Sequence, residues 1–218
     1  MSEDSSFLVS SLRDLVSDEA WAGLIDYPVR HRPAGETLLW QGTEGTQVLA
    51  LVSGLVKVVR TDRDGRKRLL AFRGPGEILG EMALQRGDVR LADVQTMSIC
   101  KVTVIPADDF RRLVREHRLA EPLAELATRR LKEQTEVHDG DVRERLVMAL
   151  LRLVEVSGGA RSFSLTRDEL AQHIGVGRKL VSKALVQLGP ELVQAGKSRV
   201  GVVDVGGLRK ALDGPAAA

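Results

Sequence analysis

The sequence predicts an α+β protein in three parts: an N-terminal β sandwich or barrel, a helical connector and a C-terminal winged helix-turn-helix. Three observations carry this. Residues 29–105 alternate short apolar runs with glycine-rich turns at ~8–12-residue spacing, the rhythm of an all-β unit. From Pro106 onward the apolar spacing becomes helical. Residues 166–188 then read as two short helices joined at a glycine, with a basic face on the second.

Each part follows from its residues. Leu8, Leu12, Leu15, Trp21 and Leu24 recur at roughly helical spacing, predicting one amphipathic helix over 7–27 that Pro28 ends. Val48–Val52, Leu55–Val59 and Val102–Ile105 are β-prone, and Asp64-Gly65 between Val58-Val59 and Leu69-Leu70 is a hairpin signal. Asp108-Asp109 suit the positive end of a helix dipole, and Phe110, Leu113 and Val114 give that helix an apolar face. Pro122 opens the next helix, where its missing N–H costs nothing. Its stripe is Leu123, Leu126, Ala127 and Leu131, continuing into Gln134, Thr135 and Val137. Gly140 breaks the chain, and a third helix follows from Asp141 through Leu146, Leu150 and Leu153 until Ser157-Gly158-Gly159.

The sharpest local signal comes next. Thr166-Arg167-Asp168-Glu169 is a capping box, in which the Thr hydroxyl takes an orphan N–H and the Glu reaches back. Leu170, Ala171 and Ile174 continue that helix to Gly175, placed for a left-handed turn. A second helix starts near Gly177-Arg178, buries Val181, Ala184, Leu185 and Leu188, and shows Arg178, Lys179, Ser182 and Lys183 on its other side. Val200–Val205 reads as a wing strand after Gly196-Lys197-Ser198-Arg199. His173 is expected to be a surface or semi-buried residue.

Composition removes whole classes of function. The 218 residues are 43% hydrophobic and 28% charged, which excludes fibrous and wholly disordered chains. No run of ~18 apolar residues is present, so no membrane partner is expected, and the acidic start Met1–Ser6 is unlike a secretory leader. One Cys, Cys100, excludes an internal disulfide, and four scattered His residues show no metal-ligand spacing. No Walker loop, GxSxG or HExxH is found, so neither enzyme activity nor catalytic residues are expected. A cytoplasmic protein is the expectation. Residues 161–218 hold nine basic and five acidic side chains against a chain total of +2, which points to an anionic partner.

Two constellations carry chemistry. The N-terminal end of a second helix of this kind enters the major groove, where Arg178 can pair with guanine and Lys179, Ser182 and Lys183 can reach bases or phosphates. The stretch Gly80-Glu81-Met82-Ala83-Leu84 with Arg90-Leu91-Ala92-Asp93 pairs a carboxylate with a guanidinium, suited to a ribose hydroxyl and a phosphate. A surface salt bridge between Glu81 and Arg90 is the plainer reading of that spacing.

The order of these parts resembles the Crp/Fnr family of bacterial transcription regulators, from about Phe7 to Leu212. Pro33–Glu36 with Ser53–Val58 matches the early strands, Gly76–Leu84 with Arg90-Leu91-Ala92 matches the phosphate-binding cassette, and Leu165–Arg178 matches the helix-turn-helix. The resemblance implies a cyclic-nucleotide-binding-type β jelly roll (1–115), a long dimerisation helix (116–139) and a winged helix-turn-helix DNA-binding domain (140–218). It implies ligand contacts at Gly80, Glu81, Met82, Arg90, Leu91, Gln134 and Thr135, with Glu81 on the ribose and Arg90 on the cyclic phosphate of cyclic AMP or cyclic GMP. It implies DNA contacts at Thr166, Arg167, Gly177, Arg178, Lys179, Ser182 and Lys183.

Five positions depart from the family. Leu91 stands where a Ser or Thr normally touches the phosphate, and Gln134-Thr135 replace a Thr-Ser pair that reaches adenine. Gly177 and Lys179 flank Arg178 where the family often has Ser and Glu; Lys179 cannot accept a hydrogen bond from cytosine. The expected partners are a two-fold-symmetric double-stranded DNA operator and a second copy of the chain, with RNA polymerase a candidate. Two sensor readings stay open, an effector in the jelly roll or none. In a different class stands an interaction module whose winged helix binds protein.

Overall fold

The computed structural model describes residues 11–84 and 89–213. Leu8, the Arg86-Gly87-Asp88 turn and the tail Gly214–Ala218 lie outside these. The chain opens with α1 (Leu12–Leu15) and α2 (Asp18–Ile25), a pair of helices where the leucine spacing predicts one. Ser17 causes the break: its extended backbone and its side-chain acceptance from the Ala20 N–H make it a helix start. Leu12 and Leu24 are nonetheless both fully buried, so the apolar face survives the kink.

Eight strands follow: β1 (Val29–Arg32), β2 (Thr37–Leu39), β3 (Gln47–Ser53), β4 (Val56–Thr61), β5 (Lys67–Arg73), β6 (Ile78–Leu79), β7 (Asp93–Thr96) and β8 (Cys100–Pro106). They form two antiparallel sheets, ordered β1-β8-β3-β6 and β2-β7-β4-β5, the jelly-roll arrangement. Leu49, Leu51 and Val102 from one sheet pack with Leu39, Val56 and Val94 from the other in a single apolar cluster. The predicted β4–β5 hairpin forms. Gly65 takes φ +81°, and the Arg66 N–H donates to the Asp64 carboxylate at 3.1 Å.

The helices α3 (Ala107–Glu116), α4 (Ala120–Glu136) and α5 (Val142–Val156) come next. α4 starts two residues before Pro122, which is tolerated because the third N–H of a helix also lacks an intrahelical partner. Its stripe differs from the sequence reading. Leu123 and Leu126 are buried, but the line then continues through Glu133, while Leu131 is 68% exposed. Gly140 turns the chain at φ +81°, and Asp141 caps α5 in a reciprocal box with Glu144.

The C-terminal part holds α6 (Arg167–Ile174), α7 (Arg178–Leu188) and a three-stranded sheet, β10 (Val193–Ala195), β11 (Val200–Val202) and β9 (Ser162–Phe163). The wing strand is shorter than predicted. It stops at Val202, and Val205–Asp213 form a last helix, α8, which buries Leu208 in the core. Gly206-Gly207 concealed that helix, since glycine is a poor helix former.

One core runs across the two halves. Leu55, Val59, Leu69, Phe72 and Met97 of the jelly roll cluster with Leu150, Leu153, Leu170 and Ile174 of the helical half. β5 thereby acts as a partition. Leu69 and Phe72 meet the helices, whereas Leu70 and Ala71 line an internal cavity with Val58 of β4.

Candidate functional site

The cavity lies between the β4–β5 hairpin, the segment from Ile78 to Ala83, the segment from Arg90 to Ala92 and one face of α4. Its volume is about 310 Å³, within the usual range for a small-molecule pocket. Of the predicted ligand residues it gathers Gly80, Glu81, Met82, Arg90, Leu91 and Gln134. Thr135 is not on its wall: the side chain is exposed and its hydroxyl donates to the Leu131 carbonyl at 3.1 Å, an intrahelical bond.

Glu81 and Arg90 are not a surface salt bridge. They are 6% and 5% exposed, and the Glu81 carboxylate is held by Arg130 of α4 instead. Arg90 is anchored by its backbone, which donates to the Thr43 carbonyl and accepts from Gly42, each at 2.8 Å. Its Nη2 donates to the Gln47 carbonyl at 2.8 Å, and its Nη1 is buried without a hydrogen-bond partner among the described residues. Burial lowers the Arg90 pKa, a pull that neighbouring Glu81 opposes. A desolvated guanidinium with an unused N–H at a cavity has the chemistry to bind an anion. Gly80 makes the approach feasible: it sits at φ +87°, and a Cβ there would collide with Arg90 Nη1 and lie 2.8 Å from Leu39. Leu91, 52% exposed, adds no hydroxyl.

The sequence reading missed Arg130. Arg130 donates to Glu81, to Glu77 at 2.7 Å and to the Ile78 carbonyl at 2.9 Å. The signal was present: Arg130 and Glu133 stand four and seven residues after Leu126, charged positions on a buried stripe.

The second region is the helix-turn-helix. Thr166 accepts from the Glu169 N–H at 3.1 Å while Glu169 accepts from the Thr166 N–H at 2.8 Å, the capping box that the spacing predicts. Lys57 of β4 also pairs with Glu169. Burial raises the Glu169 pKa, but the bonds from Lys57 and Thr166 outweigh this and leave it below the usual value. Gly175 takes φ +69° at the turn. Gly177 is the extended N-cap that precedes α7, and its carbonyl accepts from the Leu180 N–H at 2.9 Å. Arg178, Lys179 and Lys183 are exposed and Ser182 is half-buried, so α7 presents a basic face while Val181, Ala184 and Leu188 hold its back. Arg178 pairs with Asp168 at 3.5 Å across the turn, an exposed contact that DNA could replace. Arg167 instead donates to the Ala195 carbonyl at 2.9 Å, tying α6 to the wing.

His173 corrects the sequence expectation. It is 2% exposed, its Nδ1–H donates to the Leu69 carbonyl at 3.2 Å, and its ring meets Phe72 edge-on at 4.8 Å. Burial drives its pKa down to about 4, against a small opposing effect of that hydrogen bond.

A jelly roll with a cavity that a buried guanidinium lines, fused to a winged helix with a basic face, defines a DNA-binding type of regulator. Residues 29–117 match the Cyclic nucleotide-binding domain and residues 144–211 the Crp-like helix-turn-helix domain. The chain is 32% identical over 193 residues to the Cyclic AMP receptor protein of Thermus thermophilus, covering 83% of this chain and 89% of that one. It is 29% identical over 164 residues to the CRP-like cAMP-activated global transcriptional regulator of Mycobacterium tuberculosis, covering 70% and 73%. A crystal structure of a CRP-family transcriptional regulator from Thermus thermophilus superposes with TM-score 0.69 at 26% identity, over 85% of this chain and 97% of that one. The protein belongs to the Crp/Fnr family and is a DNA-binding transcription regulator. No helix among the described residues is long and apolar enough to cross a membrane.

Proposed function

We propose that the protein is a cytoplasmic, non-enzymatic homodimer whose affinity for a two-fold-symmetric operator is set by a cyclic nucleotide in the jelly-roll cavity. One observation carries the effector reading: the unpartnered Arg90 Nη1, on a side chain buried against a cavity of about 310 Å³. The cyclic phosphate accepts from Arg90, and the ribose hydroxyl donates to Glu81 beside Arg130. Gln134 offers both a donor and an acceptor to the base. Leu91 supplies only apolar contact, so Arg90 binds the phosphate without a neighbouring hydroxyl. Thr135, exposed on α4 and bonded to the Leu131 carbonyl, takes no part in this arrangement.

Calorimetric titration with cyclic AMP and cyclic GMP tests this, with Arg90→Ala as control. Micromolar binding that the control abolishes is the expected result; no heat from either nucleotide with a folded dimer overturns it. Leu131, apolar and 68% exposed on α4, supports the dimer, since a second α4 would cover it. Operators with half-sites about one helical turn (~34 Å) apart match such a pair, and promoter-bound dimers have RNA polymerase as their candidate partner.

The DNA face is Arg178, Lys179, Ser182 and Lys183, with Thr166, Arg167 and Gly177 shaping its edge. Arg178→Ala should cost about 1–3 kcal/mol at the cognate site and relax its sequence preference. Equal loss on random DNA would reduce Arg178 to a phosphate contact. Log affinity should fall with log salt by roughly 0.9 per phosphate neutralised; a flat response would favour a protein partner for the winged helix.

A further inference from the structure

We propose that a row of six alternating charges, four of them buried, is a relay that couples the cavity mechanically to the DNA-binding half. The proposal rests on the reading that an effector occupies the cavity. The row runs Glu81, Arg130, Glu77, Arg73, Glu133, Arg152. Arg130 joins Glu81 to Glu77, the latter at 2.7 Å. Arg73 joins Glu77, at 3.5 Å, to Glu133, at 3.0 Å, and Arg152 closes on Glu133 at 2.7 Å. Side-chain exposure is 7% or less for Glu81, Glu77, Arg73 and Glu133, 17% for Arg130 and 23% for Arg152.

The two ends lie in different halves of the molecule. Glu81 and Arg130 line the cavity. Arg152 belongs to α5, whose Leu146, Leu150 and Leu153 build the core beneath α6 and α7. A second contact seats α5 on the same segment. Gly74, next to Arg73, lies so close to the Val156 carbonyl that a Cβ there would collide with it. A shift of Arg73 therefore moves the floor on which the end of α5 rests.

Packing alone does not call for these charges. Leu123 and Leu126 hold the preceding turns of α4 with apolar contact, and a buried ion row is no more stable than the apolar packing that could replace it. Its distinctive property is interdependence. Each inner member neutralises two neighbours out of reach of water, so a change at one end leaves a buried charge unmatched further along. A hydroxyl donated to Glu81 competes with Arg130, which then leans on Glu77. Arg73 and Glu133 redistribute in turn, and Arg152 carries the change into α5.

Amide hydrogen exchange on the full-length protein tests this without any effector. In Glu81→Gln, exchange in α5 should rise by about tenfold relative to wild type. In an Arg152→Met background the same change at position 81 should add nothing in α5, because the far end is already cut. Exchange confined to residues 78–84 and 127–134 would overturn the relay, as would an equal added effect in both backgrounds. If Glu81→Gln does not fold by circular dichroism, Glu81→Asp keeps the charge, shortens its reach and is read in the same way. Nucleotide calorimetry is read separately. Binding with no transmitted exchange sinks the relay alone, and transmitted exchange with no binding sinks the effector reading while the row stands as a coupling of the two halves.

Discussion

His173 shows how one residue can report the joint between the two halves. Its Nδ1–H is spent on the Leu69 carbonyl, and its buried Nε2 has no partner among the described residues. Protonation would put a second N–H there in the same sealed space. Arg152 and His138 nearby oppose that charge, while Glu133 favours it. The native pKa of about 4 lies below the unfolded value of 6.5. The unfolded chain therefore binds the proton first as pH falls. Stability from this site is complete above pH 6.5 and is lost as pH drops to about 4. The full loss is about 3 kcal/mol by linkage. Urea midpoints measured from pH 7 to pH 4 should fall less steeply for His173→Asn than for wild type; parallel curves would remove His173 from the account. The sequence predicts a surface or semi-buried position and not full burial, because the neighbours Phe72 and Leu69 lie about a hundred positions away, beyond any local pattern. Arg90, by contrast, was readable from its cassette, although its anchorage on Gln47 and the partner of Glu81 were not.

At the scale of elements, legibility followed locality. The capping box at the start of α6 needs only four consecutive residues, and both of its bonds form as the spacing predicts. The third contact of Glu169, from Lys57, spans 112 positions and leaves no trace in sequence. The same contrast explains α4: its first two turns follow apolar periodicity, while its last two bury charges whose partners, Glu77 and Arg73, belong to other elements. Thr166→Ala removes one acceptor of the box and leaves Lys57 to hold Glu169. The expected cost is about 1 kcal/mol, typical of a lost N-cap. It is checked by urea unfolding, alone and combined with Lys57→Met. If the two sites act on Glu169 together, the double variant should depart from the sum of the singles by more than about 0.5 kcal/mol; additivity would make the cap and the ion pair independent.

For the whole molecule, the order of parts was written in the sequence, and the contact between them was not. Val59, Leu69 and Phe72 lie in strands of the jelly roll, with Leu55 and Met97 just outside β4 and β7, but all five face the helical half rather than the interior of their own sheets. Alternation along a strand separates two faces without saying what covers each. The outer face of β5 gains its cover only when α5 and α6 are folded and seated. Phe72, fully buried at the centre of this contact, is the side chain with most to lose. A core shared between two units makes them unfold as one, because neither keeps its full apolar burial without the other. The wild-type protein should therefore show a single urea transition whether it is followed by Trp21 and Trp40 fluorescence, which report the jelly roll, or by helical circular dichroism. Phe72→Ala should cost about 3–5 kcal/mol and separate the two signals into distinct midpoints. If the signals stay coincident in the variant, the shared apolar core is not what binds the halves, and the ion row through Arg73, Glu133 and Arg152 is left to do so. If they already diverge in wild type, the two halves are independent folding units that merely touch.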